Sequence, residues 1–448
     1  MSTLEKEAKI EGQKRLQAMK SWDKSSTVNG PPAKFFRETL RNDTNYITAW
    51  TGAGFTNQFM GYTNLIYLAA ITDRVPIIPP FAPNPHINVS AGVLPFGDIF
   101  DLEQLSMHLR RPVLEWRDVK DLPKPRDSNP FPYVVNSPSY SPEPIGCWST
   151  RSLLDRGAAR SSHVIAHIGL DASYTRVHNN TRLKPDDPHE PHVVFSHLAA
   201  LIYRHSSSTS SDFASPPFPD PGLHPHRYEF IESGLEADHH TRMPDSHLAC
   251  FDSLYFSTSS IAPMEWRFKF SPAWRDVGQW LKFSKKATAI LDEYMDALFP
   301  AGPEDDVDEY PPFIAVHVRR GDFDWDCRSD HCLPPLSVYQ REVDNIKQEL
   351  SEKRGIDVKD VVLMSDESAK EFWDEATAFG WLSINHEETQ TSEKFGEWYP
   401  AIIDVAIQSR AIGFVGTEHS TLSLVSQRRV ETWNAGIVRT VDPRSRPR

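Results

Sequence analysis

The chain has 448 residues, 39% of them hydrophobic and 11% aromatic, with 48 Lys and Arg against 61 Asp and Glu for a formal net charge of −13. That length is too great for one small core and suits two domains, and the apolar content excludes global disorder. The acidic surplus argues against nonspecific binding to nucleic acid or anionic membrane, while leaving room for a local basic pocket around a phosphate.

In chain order, residues 1–44 read as a polar, weakly helical lead whose charged start lacks a signal-peptide core. No apolar run reaches the roughly 18 residues needed to cross a bilayer. The expectation is therefore a cytoplasmic chain, or a secretory-lumen one whose upstream anchor is missing from the sequence. "YITAW" (Tyr46 to Trp50) is a strand, "TGAGFTNQ" a Gly-containing turn, and the next stretch a helix on the spacing of Met60, Leu65, Leu68 and Ala69. "VPIIPP" is a second strand, completing a strand–turn–helix–strand unit of an α/β domain. Residues 121–145 are Pro-rich, 206–221 read as a low-complexity loop, and "PHVVFSHLAALIYR" between them as a buried strand or helix. Pro272 to Phe299 has helical periodicity throughout, and the acidic, Pro-bounded Pro300 to Pro312 reads as a domain linker.

From residue 313 strands and helices alternate: "FIAVHV", "DVVLMSD", "WLSIN" and "IGFVGT" are strands with helices between and after them. The expected organisation is an acceptor-side α/β domain over 45–299, the linker 300–312, and a Rossmann-like, doubly wound domain over 313–440. There is no internal repeat.

Of four cysteines, Cys327 and Cys332 enclose "CRSDHC" and would close as a disulfide in an oxidising compartment. As zinc ligands with His331 they lack a second ligand pair, so no metal is expected. Sequons occur at Asn42, Asn88 and Asn179. The histidines His224, His226, His239 and His240 read as solvated or core residues rather than metal ligands.

In a doubly wound sheet, ligands bind beyond the carboxyl ends of the strands. Three polar clusters sit there: His317, Arg319, Arg320 and Asp322; Ser365 and Asp366; and Thr417, Ser420 and Thr421. Alternation along a strand puts His317 and Arg319 on one wall. Arg319 can grip a phosphate through paired charge-assisted hydrogen bonds, or form a structural ion pair. "GTEHST" offers a helix N-terminus to an anion, and Asp366 can accept from an amine or a ribose, or cap the helix after it. Ser420 or Thr421 can likewise cap theirs. For Arg320 the favoured reading is a surface pairing with Asp322 or the acidic linker. "DFDWD" (Asp322 to Asp326) reads as a solvated acidic turn ahead of a cation site. Together the clusters describe a nucleotide-diphosphate site without a Walker lysine or GxGxxG.

"HVRRGDF", "VVLMSDE" and "RAIGFVGTEHSTLSLV", with "GAGFTNQFMGYTNLIYLAAITDRVPIIPP" upstream, resemble the motifs of the protein O-fucosyltransferase-like superfamily. The resemblance covers about residues 46–80 and 313–433. It implies a GT-B architecture, two Rossmann-like domains facing a central cleft, and inverting, metal-independent transfer of L-fucose from GDP-fucose to a hydroxyl of a protein or glycan acceptor. It implies Arg319 at the β-phosphate, stabilising the departing GDP, and His317 in the same pocket. Asp366 would lie near the guanine or ribose, with Ser420, Thr421 and Leu422 at the diphosphate and Gly54 and Asn57 on the sugar side. Some members carry Glu or Arg between the two glycines of the N-terminal turn; here that residue is Ala53. The general base is thus unassigned, with Asp322, Asp324 and Glu418 as candidates. A catalytically inactive GDP-sugar- or glycan-binding protein on the same fold is the alternative.

Overall fold

The computed structural model describes residues 23–83, 86–122, 142–151, 162–203, 232–233, 242–268, 271–300, 310–324 and 333–443. The chain divides into two compact units, Met1–Lys282 and Phe283–Arg448. Both are α/β units built on parallel sheets, the fold class expected from the sequence.

The first unit contains β1 (Tyr46–Ala49), β2 (Val75–Ile78), β3 (Leu114–Glu115), β4 (Glu143–Ser149), β5 (Leu170–Arg176), β6 (Val193–Val194), β7 (Glu232–Ser233), β8 (Leu248–Phe251) and β9 (Ser257–Thr258). Seven of these form one sheet in the order β3-β2-β1-β8-β4-β5-β7, and β6 pairs with β9. Neighbours in the large sheet are parallel except β5 and β7. Its central strands are apolar at nearly every position because both faces are covered. Tyr46, Leu248 and Cys250 join a core with Trp50 and Trp116 on one side. Ile47, Ala49, Ala249 and Phe251 join Leu65, Leu68 and Phe195 on the other. The helix Phe55–Ile71 carries the chain from β1 to β2, the expected crossover.

Two expectations are refined here, and one feature is new. Residues 23–44 are no detached lead: Phe36 and Leu40 are fully buried in the Trp50 core. The Phe36 N–H donates to Glu143 Oε2 at 2.8 Å. "PHVVFSHLAALIYR" is both a strand and a helix, β6 running into Phe195–Ile202. And Cys147 on β4 is bonded to Cys250 on β8, with 4.5 Å between their Cα atoms and 103 residues of separation. The expected Cys327–Cys332 bridge lies outside the described residues, as do 206–221, the four histidines singled out above, and 301–309 of the linker.

The second unit holds β10 (Phe313–Val318), β11 (Asp360–Ser365), β12 (Leu382–Ser383), β13 (Gly413–Thr417) and β14 (Ile437–Val441), all parallel, in the order β12-β11-β10-β13-β14. Helices Leu336–Arg354, Lys370–Ala378, Tyr399–Gln408 and Thr421–Trp433 connect and follow the strands. The periodic run Pro272 to Phe299 is not one helix. It breaks after Asp276, passes through a 3-10 turn at Gly278–Trp280, and restarts as Lys285–Leu298 under a Ser284 cap. That second helix belongs to the second unit, where Asp292 pairs with Arg410 at 2.6 Å and the Tyr294 hydroxyl meets Thr391 Oγ1 at 2.6 Å. The division therefore falls before this helix rather than after it.

Candidate active site at the switch point of the second sheet

The chain runs from β10 to β11 and β12 on one side, then crosses to β13 and β14 on the other. Such a reversal opens a crevice at the carboxyl ends of the two strands that flank it, here β10 and β13. The register pairs His317 with Gly416 and Val318 with Ser365, so the three strand ends are level.

Arg319 leaves β10 into this crevice. Its guanidinium is ion-paired with Asp366, the first residue beyond β11, and lies 5.6 Å from the centroid of the Phe323 ring. The other Asp366 oxygen accepts the Arg320 N–H at 2.7 Å. Asp366 is thus not a helix cap; it holds the loop after β10 to the end of β11. The helix beyond it starts only at Lys370, and Glu367 takes the free N–H groups of Ser368 and Ala369 instead. Gly321 permits the approach: a Cβ there would stand 2.5 Å from Asp366 Oδ2, and its φ of +32° suits glycine.

Arg320 corrects the surface reading. It is buried, over the Phe372 ring at 5.3 Å and 3.9 Å from Glu367 Oε2. Burial pulls its pKa below the ordinary guanidinium value. Alternation after β10 turns it away from the Arg319 side and into the sheet's other core.

His317 is buried, and its Nδ1 lies 2.7 Å from Ser423 Oγ. Ser423 Oγ also accepts the Thr417 N–H at 3.0 Å. Desolvation first, then the nearby Arg319 charge, push the His317 pKa from 6.5 down to about 3, so the ring is neutral in the folded chain. Burial alone holds His167, on the helix Ser162–Ile168 of the first unit, at about 4. Below pH 6.5 the unfolded chain takes up protons that these two rings refuse, so stability falls with pH toward those values. Each ring is expected to cost about 1.5 kcal/mol between pH 6.5 and 5. Urea unfolding of His317→Asn at both pH values should show a loss smaller by that amount; an unchanged loss would mean the ring is not neutral.

The helix Thr421–Trp433 starts at the same crevice. Ser420 is its N-cap, accepting from the Ser423 N–H at 3.4 Å, and Thr421 and Leu422 form its first, half-buried turn. Between β13 and that cap, His419 holds a φ of 69° and the half-exposed Glu418 donates its N–H to the Val441 carbonyl at 2.9 Å. The side chains of Asp322 and Asp324 lie outside the described residues.

In the first unit, Gly54 is the N-cap of Phe55–Ile71 and Asn57 lies half-buried in the first turn of that helix. Ala53 is exposed with a φ of 73°. Gln58 pins this turn: its Nε2 donates to the Ala53 and Ala82 carbonyls at 2.8 Å each, and its Oε1 accepts the Ala82 N–H at 2.9 Å.

Sequence reasoning missed Ser423 and Gln58. Ser423 sits at an inward-facing helix position where its hydroxyl is the only clue, and its partner His317 is on another element.

No helix among the described residues is long and apolar enough to cross a membrane. No curated protein matches the chain. Its fold is similar to POFUT1 in apo form (17% identity, 90% of this chain and 99% of that one, TM-score 0.47) and in complex with GDP-fucose (16%, 91% and 98%, TM-score 0.47). It is also similar to the fucosyltransferase NodZ from Bradyrhizobium (11%, 86% and 93%, TM-score 0.38). The family model for GDP-fucose protein O-fucosyltransferases matches residues 46–432, which takes in the strand–turn–helix of the first unit and the whole crevice of the second. On that match the chain belongs to the GDP-fucose protein O-fucosyltransferase family and is a glycosyltransferase of the fucosyltransferase type.

Proposed function

We propose that the chain transfers L-fucose from GDP-fucose to a hydroxyl of a protein or glycan acceptor, with inversion and without a metal ion. The observation that carries this reading is Arg319 at the β10/β13 switch point, its guanidinium oriented by Asp366. As the glycosidic bond breaks, negative charge grows on the β-phosphate, and a fixed cation stabilises that state more than the ground state. Ser420, Thr421 and Leu422 would meet the diphosphate at the helix start. His317 stays neutral and adds no positive charge to the site. Its Nδ1 is hydrogen-bonded to the Ser423 hydroxyl, which fixes the ring's orientation. Asp366 would orient Arg319 as well as lie near the nucleoside. Gly54 and Asn57 would contact the sugar, the role that the family resemblance implies for them. The base that takes the acceptor proton would come from Asp322, Asp324 or Glu418, or the sugar departs as a loose oxocarbenium-like species that needs little base. The Cys147–Cys250 bridge supports an oxidising compartment such as the secretory lumen.

Ala53 favours a second reading, a catalytically inactive GDP-sugar- or glycan-binding protein, because a methyl group stands where, by the resemblance, some family members carry Glu or Arg. Calorimetric titration with GDP in EDTA, with ADP and UDP as controls, tests both. GDP-selective binding is expected. Binding without turnover of GDP-fucose would select the second reading, and no binding of any nucleotide would end the enzyme reading and leave only a glycan-binding role.

A further inference from the structure

The hydroxyl of Thr417, the last residue of β13, has three neighbours. The Arg319 N–H reaches Oγ1 at 2.9 Å, the His317 carbonyl lies at 3.1 Å, and the Tyr339 hydroxyl at 2.8 Å. A threonine hydroxyl has one proton and two lone pairs. The Arg319 N–H can only donate, so it occupies one lone pair. The His317 carbonyl can only accept, so it takes the Thr417 proton. One lone pair remains, and Tyr339 must donate to it. The proton order is therefore fixed: Tyr339 O–H to Thr417 Oγ1, and Thr417 O–H to the His317 carbonyl.

Tyr339 is fully buried, in the first turns of the helix Leu336–Arg354, among Val316, Val318 and Val415. Burial raises its pKa, so the phenol keeps its proton. Thr417 is buried too. The pair thus grips both polar groups that flank the Val318 residue, the carbonyl before it and the amide after it, at the point where β10 ends and the β13 ladder no longer supports the chain.

We infer that Tyr339, acting through Thr417, is a positioning residue for Arg319. It fixes the backbone from which the guanidinium projects, as Asp366 fixes its far end. The inference rests on the donor site proposed above. Small displacements of a charge-stabilising group cost catalysis far more than they cost binding.

Hydrogen exchange on the full chain tests the clamp independently of activity. In Tyr339→Phe and Thr417→Val, the Arg319 amide should exchange at least about tenfold faster, while amides of 314–316 stay protected. Steady-state kinetics with GDP-fucose should show kcat lower by about tenfold in Tyr339→Phe and more in Thr417→Val, with KM and GDP affinity within about threefold. Thr417→Ser, which keeps the hydroxyl, should recover both readouts. Unchanged exchange, unchanged kcat in the folded variants, or a Thr417→Ser as impaired as Thr417→Val would each overturn the inference. Should the wild type bind no GDP, the functional reading falls, and the exchange result alone decides the clamp.

Discussion

Arg319→Ala is expected to lower transfer from GDP-fucose by roughly 10²–10³-fold or more, the cost of removing one preorganised oxyanion donor. GDP binding should weaken, and the fold should survive, because the side chain is partly exposed and its partner Asp366 keeps the Arg320 N–H. Arg320→Ala should behave oppositely. That guanidinium lies over Phe372, so its loss should cost stability, about 1–3 kcal/mol, and leave kcat of the folded protein close to wild type. The comparison is sharp because the two arginines are adjacent. A merely electropositive surface would be weakened equally by either change, whereas strand alternation sends one side chain to the crevice and the other to the core. Kinetics and urea unfolding of both variants, run together, decide it; equal losses of kcat would remove the geometric basis for the catalytic role.

Replacing the Cys147–Cys250 pair by alanine should give the largest stability effect. The bridge closes a loop of 103 residues between neighbouring strands of the first sheet. Chain-entropy reasoning puts its contribution at about 4–5 kcal/mol for a loop near that size. Both cysteines are fully buried in the Trp50 core, so the double variant also leaves two small gaps there. The first urea transition of the double variant, and of the reduced wild type, should move to lower midpoint. A midpoint that does not move in either would mean that the sheet holds β4 against β8 without the bridge.

The second unit was largely legible. Its strands are short apolar runs separated by periodic helices, and each strand ends in residues whose chemistry has no use in a core. Thus "FIAVHV" running into Arg319 already marks both a strand and its functional end. Contact between clusters 100 residues apart followed from topology, and the structure joins Arg319 to Asp366 and to Thr417 directly. Which partner each residue takes did not follow. Asp366 looked equally able to cap a helix, and only the positive φ and missing side chain of Gly321 let it reach back to Arg319. Arg320 drew a polar reading because guanidinium groups are seldom buried.

The first unit was less legible for a related reason. β8 lies between β1 and β4, so its partners are distant in the chain and no local period announces them. Phe36 and Leu40 stand among polar neighbours, and the 272–299 periodicity continued straight through a domain division. Tyr339 presents an ordinary helix-core pattern. Its hydroxyl acquires meaning only once β13 is placed beside it.

The bridge between β4 and β8 has a topological consequence. Residues 148–249 run between the two sulfur atoms, and β5, β6 and β7 all belong to that closed stretch. A peptide bond cut anywhere within it leaves one covalent molecule rather than two. Only reduction separates the pieces, so a protease could open this part of the first unit without releasing a fragment.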